Sequence, residues 1–392
     1  MKNHSVLQER LQAKLPSSLG LYIHIPFCRE RCQFCAFYVK PHHHEYVEAF
    51  LNGLAQEIDA YGELYGLNAI PVTSVYFGGG TPTALSAKQL VMVLDNIERI
   101  FRVSPGAELS IEAHPGTINF ENLTVLHSRG FNRLSIGAQS FDDRELRQLG
   151  GRSESQTTEK AFELARQVGF QNINLDLMYG FPGHTLYSWE ETLDYTINLN
   201  PAHVSCYAFT VEEGSYFYEK VLAREAHRPE EALQNDLGKF TVIILERKGY
   251  EQYEISNFCQ SGFSCQHNLR YWTSEAYLGL GPSAQSYLSG VRFGNVGDLN
   301  SYCEILASGG LPFDNLEPLS IQEIQKERIV FGLRMRKGVS VKQVRLFSEQ
   351  NYSWGQSLIT LENQGFIAEE EGHIRLTAKG IQFADSVSAA LI

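Results

Sequence analysis

Short runs rich in β-branched and aromatic residues alternate with amphipathic segments between about residues 21 and 209. The amphipathic segments repeat apolar residues at helical spacing, as between Val47 and Tyr61 and between Leu90 and Phe101. Such repeated strand–helix units favour a parallel sheet with right-handed crossovers, either doubly wound or curled into a barrel. Six strands are predicted, at residues 21–25, 74–78, 108–113, 133–138, 173–180 and 203–209.

Polar and glycine residues stand where these predicted strands end. They are Cys28, the glycines at 78–80 with Thr81, Glu112 and Gln139, while Asp176 lies within the fifth strand. In both parallel architectures, functional groups gather at the C-terminal ends of the strands. Carboxylates within apolar strands are costly to bury unpaired, so Glu112 and Asp176 indicate a polar ligand. Five strands are therefore predicted to contribute to one site.

The remainder of the chain predicts a covering segment and a small end domain. Residues 210–315 mix strand-like and helical patterns and are expected to cover the barrel mouth. Ser320 and Glu323 form a capping-box pattern for a helix that is expected to reach Lys337 and end at Gly338. Two further helices and a pair of strands follow, which is typical of a winged-helix-like fold. The predicted division is an N-terminal extension at 1–20, a core with its covering segment at 21–315, and a C-terminal winged-helix-like domain at 316–392.

Charge and hydropathy exclude several classes of function. The formal net charge is -12, which disfavours nonspecific binding to nucleic acid or to anionic lipid. No apolar run is long enough to cross a bilayer, and the first residues lack the apolar core of a signal peptide. These features predict a cytoplasmic protein without a transmembrane segment.

Three of the seven cysteines, Cys28, Cys32 and Cys35, lie within eight residues at C-x3-C-x2-C spacing. The odd number of cysteines argues against a disulfide framework. A structural zinc ion needs a fourth ligand, but His24 lies within a predicted strand and His42–His44 lie seven or more residues beyond Cys35. An iron–sulfur cluster normally has four protein ligands, so three cysteines would leave one iron open. The alternative is a set of buried structural thiols.

The segment YIHIPFCRERCQFC, at residues 22–35, resembles the cluster loop of the radical S-adenosylmethionine (SAM) superfamily, in particular its anaerobic coproporphyrinogen III oxidase-like group. The likeness extends through FGGGTPTALS, NLDLMYGFPG and CQHNLRYW and covers about residues 21–377. It implies an α/β fold with a partial (β/α)6 TIM-type barrel. It also implies a 4Fe–4S cluster held by the three cysteines, with SAM bound exchangeably to the open iron and cleaved to a 5′-deoxyadenosyl radical. The family positions that contact SAM correspond here to Tyr22, Phe34, Gly79, Gly80, Thr81, Glu112, Gln139, Asp176 and Ala208.

Two features within this group favour its heme-chaperone branch. One is the HNxxYW segment, formed by His267, Asn268, Tyr271 and Trp272, which together with Gln285 supplies the candidate heme or substrate contacts. The other is Phe37, which stands where the oxidase carries a further cysteine. His267 and Asn268 could instead cap a loop, with the two aromatic residues in the core.

Three residues depart from the pattern of the group. Gly151 stands where the family usually has a SAM-contacting arginine, unless Arg152 substitutes, and Ser153 stands at a usual histidine. Gln285 also replaces a frequent histidine.

The resemblance implies three hypotheses about function. The first is a protein that binds heme and transfers it to an acceptor protein, with a reductant such as flavodoxin or ferredoxin as a further partner. The second is a radical SAM enzyme, either a C-methyltransferase or a heme- or porphyrin-modifying enzyme. The third is a cluster protein that does not bind SAM. Candidate axial heme ligands are Cys206, Cys259, Cys265 and His267.

Two groups of basic residues have simpler interpretations. His42–His44 are expected to be solvated rather than metal-binding. Arg334, Arg336 and Lys337 are expected to offset a helix dipole at the end of their helix, with binding of porphyrin propionates as the alternative.

Overall fold

The computed structural model describes residues 2–150 and 154–392, apart from the side chains of residues 2–4 and 63–65. The strands in these residues are β1 (Leu19–Ile25), β2 (Phe27–Cys28), β3 (Lys40–Pro41), β4 (Pro71–Gly79), β5 (Arg102–Ala113), β6 (Arg133–Gln139), β7 (Asn172–Tyr179), β8 (His203–Ala208), β9 (Glu251–Gln252), β10 (Asn257–Cys259), β11 (Tyr277–Leu280), β12 (Gln285–Leu288), β13 (Val291–Asn295), β14 (Phe313–Pro318), β15 (Val339–Ser340), β16 (Ile367–Glu370) and β17 (His373–Leu376).

The α-helices are α1 (Lys2–Ala13), α2 (His44–Tyr65), α3 (Ala87–Ile100), α4 (Phe120–Ser128), α5 (Asp143–Gln148), α6 (Ser155–Val168), α7 (Leu186–Leu199), α8 (Tyr216–Leu222), α9 (Glu231–Arg247), α10 (Gln266–Trp272), α11 (Leu299–Ala307), α12 (Ile321–Gly332), α13 (Val341–Gln350), α14 (Tyr352–Asn363), α15 (Ala378–Gln382) and α16 (Ala384–Leu391).

Six parallel strands form the centre of the main sheet, in the order β1-β4-β5-β6-β7-β8. They correspond to the six strands predicted from the sequence. The strands run in parallel with helices in the connections, which is consistent with a partial TIM-type barrel. The α/β fold class is therefore confirmed.

Side chains on these strands alternate between an apolar face and a polar face. Leu109 and Ile111 of β5, for example, belong to the main hydrophobic core, whereas Ser110 and Glu112 alternate with them. The register places Glu112 beside Ser135, and Gly137 beside Asp176. Because residues that are paired across neighbouring strands point to the same face, the polar residues of several strands line one surface.

The helices cover the apolar face, and their sequence signals are present in the structure. Leu54 and Ile58 of α2 are buried, as are Leu90 and Leu94 of α3. Ser86 forms the expected reciprocal capping box with Gln89 at the start of α3.

Short strands extend the sheet beyond the six parallel strands at both edges. On one side, β11 pairs parallel with β1, and β12, β13 and β14 follow antiparallel. On the other side, β10 pairs antiparallel with β8, and β9 follows. Residues 251–318 therefore contribute strands to the sheet edges, beyond the covering role that was expected of them.

The C-terminal part contains a second hydrophobic core and a three-stranded sheet in the order β15-β17-β16. Trp354 of α14 lies in this core and donates its indole N–H to the Leu391 carbonyl oxygen at 2.8 Å. Helices α12 to α14 with these strands give the predicted winged-helix-like arrangement. The division of the chain at residues 20 and 315 stays a prediction.

The prediction that the helix after Ser320 reaches Lys337 was wrong. Helix α12 ends at Gly332, and Met335 then forms an isolated β-bridge with Glu254. Arg334, Arg336 and Lys337 consequently lie beyond the helix, so a role in offsetting its dipole in the last turn does not apply to them. Gly338 has the expected positive φ of 68°, but it ends this connecting turn rather than the helix.

Within the described residues, no helix combines the length and apolar character that a membrane span needs.

Candidate functional site

Residues 26–39, the cysteine segment, follow the C-terminal end of β1. They are held against Gly80 and Thr81, which follow β4. The Gly80 amide donates to the Ile25 carbonyl oxygen at 2.8 Å, and the Thr81 amide donates to that of Phe27 at 2.7 Å. A Cβ atom on Gly80 would lie 2.7 Å from the Phe27 carbonyl oxygen and 3.1 Å from Cys28 Sγ. Only glycine therefore permits this close approach of the two segments.

Cys28, Cys32 and Cys35 are free, partly exposed thiols on this segment. Cys28 Sγ lies 3.5 Å from Thr81 Oγ1, and the Cys35 amide donates to the Cys32 carbonyl oxygen at 3.2 Å. Burial raises the pKa of the Cys28 thiol, and burial together with the other two cysteines raises that of Cys32 to about 11. A centre of positive charge is needed to hold Cys28 and Cys32 as thiolates at neutral pH.

Across residues 2–150 and 154–392, no three His, Cys, Asp or Glu side chains converge closely enough to bind a single metal ion. Ligands of one zinc ion all lie about 2.0 to 2.3 Å from the same point. The cysteines of an iron–sulfur cluster bind different irons, so they need not converge in this way. Three half-exposed thiols on one short loop, without a fourth ligand, fit such a cluster.

Glu112 and Asp176 lie on the polar face near the cysteine segment. Tyr76 donates its hydroxyl to Glu112 Oε1 at 2.8 Å, and Ser135 donates to Asp176 Oδ2 at 2.8 Å. Burial and, secondly, the charge of Asp176 raise the pKa of Glu112 to about 7. Since a nearby cation favours the charged form of a carboxyl, an ammonium group bound here would favour the Glu112 carboxylate.

The predicted SAM contacts Tyr22, Gly79 and Gln139 lie in this region. The Tyr22 ring stacks on Tyr76 with the centroids 6.1 Å apart. Gly79 ends β4 with φ 107°, and Gln139 ends β6 with φ 64°. A positive φ in a residue other than glycine is strained, and such strain is common at ligand sites.

The two other predicted SAM contacts lie at the margin of this region. Phe34 packs against a small apolar cluster that includes Phe181 and Phe209. Ala208 is exposed at the end of β8. The predicted SAM contacts thus lie in the middle or the C-terminal halves of the parallel strands and on the adjoining loops.

Several sequence departures can be located. Phe37 is 67% exposed on the cysteine segment. Gln285 is exposed on β12, and its side-chain amide donates to the Ser283 carbonyl oxygen at 3.4 Å. The positions discussed at Gly151, Arg152 and Ser153 lie outside the described residues.

His267 is buried beneath the site. Its Nδ1 atom lies 3.0 Å from Ser74 Oγ, and its Nε2 atom lies 3.0 Å from the Tyr271 hydroxyl oxygen. The ring stacks on Tyr76 with the centroids 5.3 Å apart. Burial lowers the pKa of His267 to about 3. In this arrangement neither ring nitrogen is free to bind iron.

The other residues of the HNxxYW segment contact two different parts of the protein. Tyr271 lies edge-on to His267, whereas Trp272 lies under the guanidinium of Arg334 at 4.6 Å. Asn268 is partly buried within α10. The segment therefore connects the floor of the site to the C-terminal part of the chain.

The other candidate axial ligands are interior thiols. Cys206, Cys259 and Cys265 are each at most 3% exposed. Cys265 Sγ donates to Glu108 Oε1 at 3.5 Å. His42–His44 are exposed, as expected.

A polar network next to Asp176 was not predicted from the sequence. It contains Asn174, His203 and Tyr253, together with the fully buried Arg133. The polar residues that alternate with apolar ones in β7 and β8 were a visible signal, because period-two alternation puts Asn174 and Asp176 on the same face.

Comparison with known proteins agrees with the fold and the cysteine segment. Residues 22–196 match the Radical SAM superfamily, and residues 319–383 match the HemN C-terminal domain. The solved structure of coproporphyrinogen III oxidase (HemN) from Escherichia coli has a TM-score of 0.87 to this chain, covers 99% of it and 93% of its own chain, and is 24% identical. That likeness shows a shared fold.

Sequence relatives define the family more narrowly. The heme chaperone HemW of Bacillus subtilis (strain 168) is 34% identical over 386 residues, which are 95% of this chain and 98% of that protein. The heme chaperone HemW of Lactococcus lactis is 30% identical over 368 residues, which are 93% and 95% of the two chains. The heme chaperone HemW of Escherichia coli (strain K12) is 35% identical over 69% of this chain and 70% of that protein. By this likeness over nearly its whole length, the chain belongs to the HemW family within the radical SAM superfamily.

Proposed function

We propose that this chain is a heme chaperone that binds heme and transfers it to an acceptor protein. The observation that carries the proposal is the identity of 34% to the Bacillus subtilis heme chaperone HemW, which extends over 95% of this chain. Phe37, at the position of the oxidase's further cysteine, also argues against oxidation of coproporphyrinogen.

Membership of the radical SAM superfamily implies a 4Fe–4S cluster and SAM. Cys28, Cys32 and Cys35 would hold the cluster, and the open iron would accept the amino and carboxylate groups of SAM. When bound, this pair supplies one-electron reduction of the sulfonium. Tyr22, Gly79, Gln139, Glu112 and Asp176 of the strands would bind SAM. The other family positions, Phe34, Gly80, Thr81 and Ala208, would help to keep water from it.

The candidate heme contacts differ in how available their side chains are to a ligand. His267 needs to leave its two hydrogen-bond partners before it can bind iron. Tyr271 and Trp272 offer aromatic surface, and Arg334 beside Trp272 offers positive charge for a propionate. Asn268 and the exposed Gln285 remain candidates for polar contacts. A heme-acceptor protein, a flavodoxin or ferredoxin reductant and a cytoplasmic location belong to the same proposal.

An anaerobic product assay tests the chaperone function against oxidase activity. Cluster-reconstituted protein is incubated with SAM, dithionite and coproporphyrinogen III. The proposal predicts no protoporphyrinogen, and the Escherichia coli oxidase HemN run in parallel shows that the assay works. Formation of protoporphyrinogen by this chain would overturn the proposal.

The second candidate is a radical SAM enzyme, a C-methyltransferase or a heme- or porphyrin-modifying enzyme. The observation that favours it is the intact polar face, with Glu112 held by Tyr76 and Asp176 held by Ser135. Mass spectrometry of the same mixtures, with heme as an added substrate, discriminates the two. 5′-Deoxyadenosine or S-adenosylhomocysteine that forms in proportion to an altered porphyrin would establish the enzyme.

A further inference from the structure

Asp176 receives a hydrogen bond at each of its carboxylate oxygens. The Ser135 hydroxyl donates to Oδ2 at 2.8 Å, and the Asn174 side-chain N–H donates to Oδ1 at 2.8 Å. Asn174 is 1% exposed and Ser135 is 1% exposed. Ser135 lies on the neighbouring strand β6, and Asn174 lies two residues before Asp176 on β7. The carboxylate of Asp176 is therefore held in place by two buried donors.

The orientation of the Asn174 amide follows from its partners. Its nitrogen donates to Asp176 Oδ1 and to Ser135 Oγ, the latter at 2.6 Å. Its oxygen accepts from the Ser205 hydroxyl at 3.1 Å and lies 2.6 Å from His203 Nδ1. Because this oxygen can only accept, His203 Nδ1 must carry a proton.

His203 then has one defined tautomer. Burial, with the charge of Arg133, lowers the pKa of His203 well below its ordinary value, so the ring is neutral and has a single N–H. That N–H is on Nδ1, which leaves Nε2 as an acceptor for the Tyr253 hydroxyl at 2.9 Å. The Tyr253 oxygen in turn accepts from the Cys265 amide at 3.3 Å. In this series of hydrogen bonds, from the Cys265 amide through Tyr253, His203 and Asn174, each donor therefore points toward Asp176.

Tyr253, at the end of this hydrogen-bond series away from Asp176, is held by backbone hydrogen bonds. The Tyr253 amide donates to the Asn257 carbonyl oxygen at 3.2 Å, and the Tyr253 carbonyl oxygen accepts from the Arg336 amide at 3.0 Å. The next residue, Glu254, forms the bridge with Met335. Tyr253 is thus fixed by contacts that do not involve Asp176.

We propose that Asn174, His203 and Tyr253 are positioning residues that hold the Asp176 carboxylate as an acceptor for SAM, with His203 in the Nδ1–H tautomer. This inference rests on the proposed role of Asp176 as a SAM contact. Residues that orient metal-binding side chains contribute about tenfold or more to metal affinity, and we expect an effect of this order on SAM affinity.

Equilibrium binding of SAM to cluster-reconstituted variants tests the role of this hydrogen-bond series. His203→Leu removes the donor to Asn174 and should weaken SAM binding about tenfold. His203→Asn can present an amide N–H at the place of Nδ1 and should restore affinity to within about threefold of the wild type. Tyr253→Phe removes the donor to Nε2 and should weaken binding by several-fold.

Tyr302→Phe is the matched control, because it deletes another buried tyrosine hydroxyl, which donates to Glu57 Oε2 at 2.6 Å. It should lower the unfolding temperature without changing the SAM dissociation constant. Unchanged SAM affinity in folded His203→Leu protein would overturn the inference.

The tautomer is measured independently in the wild type without added cofactor. Nitrogen-15 NMR of histidine-labelled protein, with His203 assigned by comparison with His203→Asn, should show a protonated Nδ1 and an unprotonated Nε2. The opposite tautomer would overturn the inference even if His203→Leu and Tyr253→Phe do not fold, because the assignment needs only folded His203→Asn. A wild type that binds no SAM would overturn it as well, whereas a failure to bind heme would contradict only the proposed function.

Discussion

Glu57 is a carboxylic acid with no exposed surface on the apolar face of α2. Its oxygens accept from the Tyr302 hydroxyl at 2.6 Å, the Gly281 amide at 2.7 Å and the Asn295 side-chain N–H at 2.6 Å. Burial raises its pKa from 4.5 to about 7 in spite of these three donors. This residue therefore takes up a proton on folding between these two pH values.

The stability of the protein should depend on pH through Glu57. Its contribution to the free energy of unfolding is fully present below about pH 4.5 and is lost as the pH rises through about 7, a change of at most about 3 kcal/mol. Glu57→Gln cannot titrate, so the excess stability of the wild type over this variant should shrink from pH 5 to pH 8. Urea unfolding at several pH values measures the difference, with the exposed Glu349→Gln as a control. A difference that is constant across this range would contradict the assignment.

For single residues, the sequence predicts which side chains form the site better than it predicts their hydrogen-bond partners. The cysteine spacing and the polar positions at strand ends indicate the site, because those signals are local. The tautomer of His203 depends on Asn174, 29 positions away, and His267 contacts Ser74, 193 positions away, so no local pattern specifies either contact.

Gly80 lies where the segment after β4 packs closely against the cysteine segment after β1. An alanine Cβ there would contact the Phe27 carbonyl oxygen and Cys28 Sγ, so the segment would have to move. Such overpacking costs about 1–3 kcal/mol. Gly80→Ala should therefore keep the fold but incorporate much less iron and sulfide on reconstitution, as measured by iron analysis and visible absorption.

Gly355→Ala provides the comparison for that experiment. Gly355 lies inside α14 of the C-terminal part, and its added Cβ would meet only Ser348, at 3.3 Å from the nearest atom. Cluster content should match the wild type. Equal cluster content in Gly80→Ala and Gly355→Ala would contradict the role assigned to Gly80.

Elements with strong periodicity were predicted and weakly patterned ones were not. The six long parallel strands and helices α2 and α3 carry clear patterns. The edge strands β9 to β14 are short, at two to six residues, and their pairing depends on tertiary contacts. Helix α12 ends early for the same reason, since Met335 pairs with Glu254 and the continuing helical propensity is overridden.

Arg334 links the main sheet region to the C-terminal part. Its guanidinium lies 4.6 Å from the centre of the Trp272 ring, and Nη1 lies 3.5 Å from Asp385 Oδ1 of α16. The sequence did not predict this contact, because it depends on how α10 meets the turn after α12.

Arg334→Ala should destabilise the folded chain by about 1 kcal/mol through loss of the stacked cation. Urea unfolding measures the change. Arg345→Ala removes a mainly exposed ion pair with Glu369 and should change stability by well under that amount. Equal effects of the two substitutions would contradict a specific role for the Arg334 contact.

As a whole, the molecule is proposed to use a radical SAM fold to bind heme. The most direct measurement is an anaerobic heme titration of cluster-reconstituted protein, followed by visible absorption with and without SAM. A heme chaperone should show a Soret band that grows to saturation at about one heme per chain while the cluster stays intact. The absence of a Soret band at stoichiometric heme, with the cluster intact, would contradict heme binding by this protein.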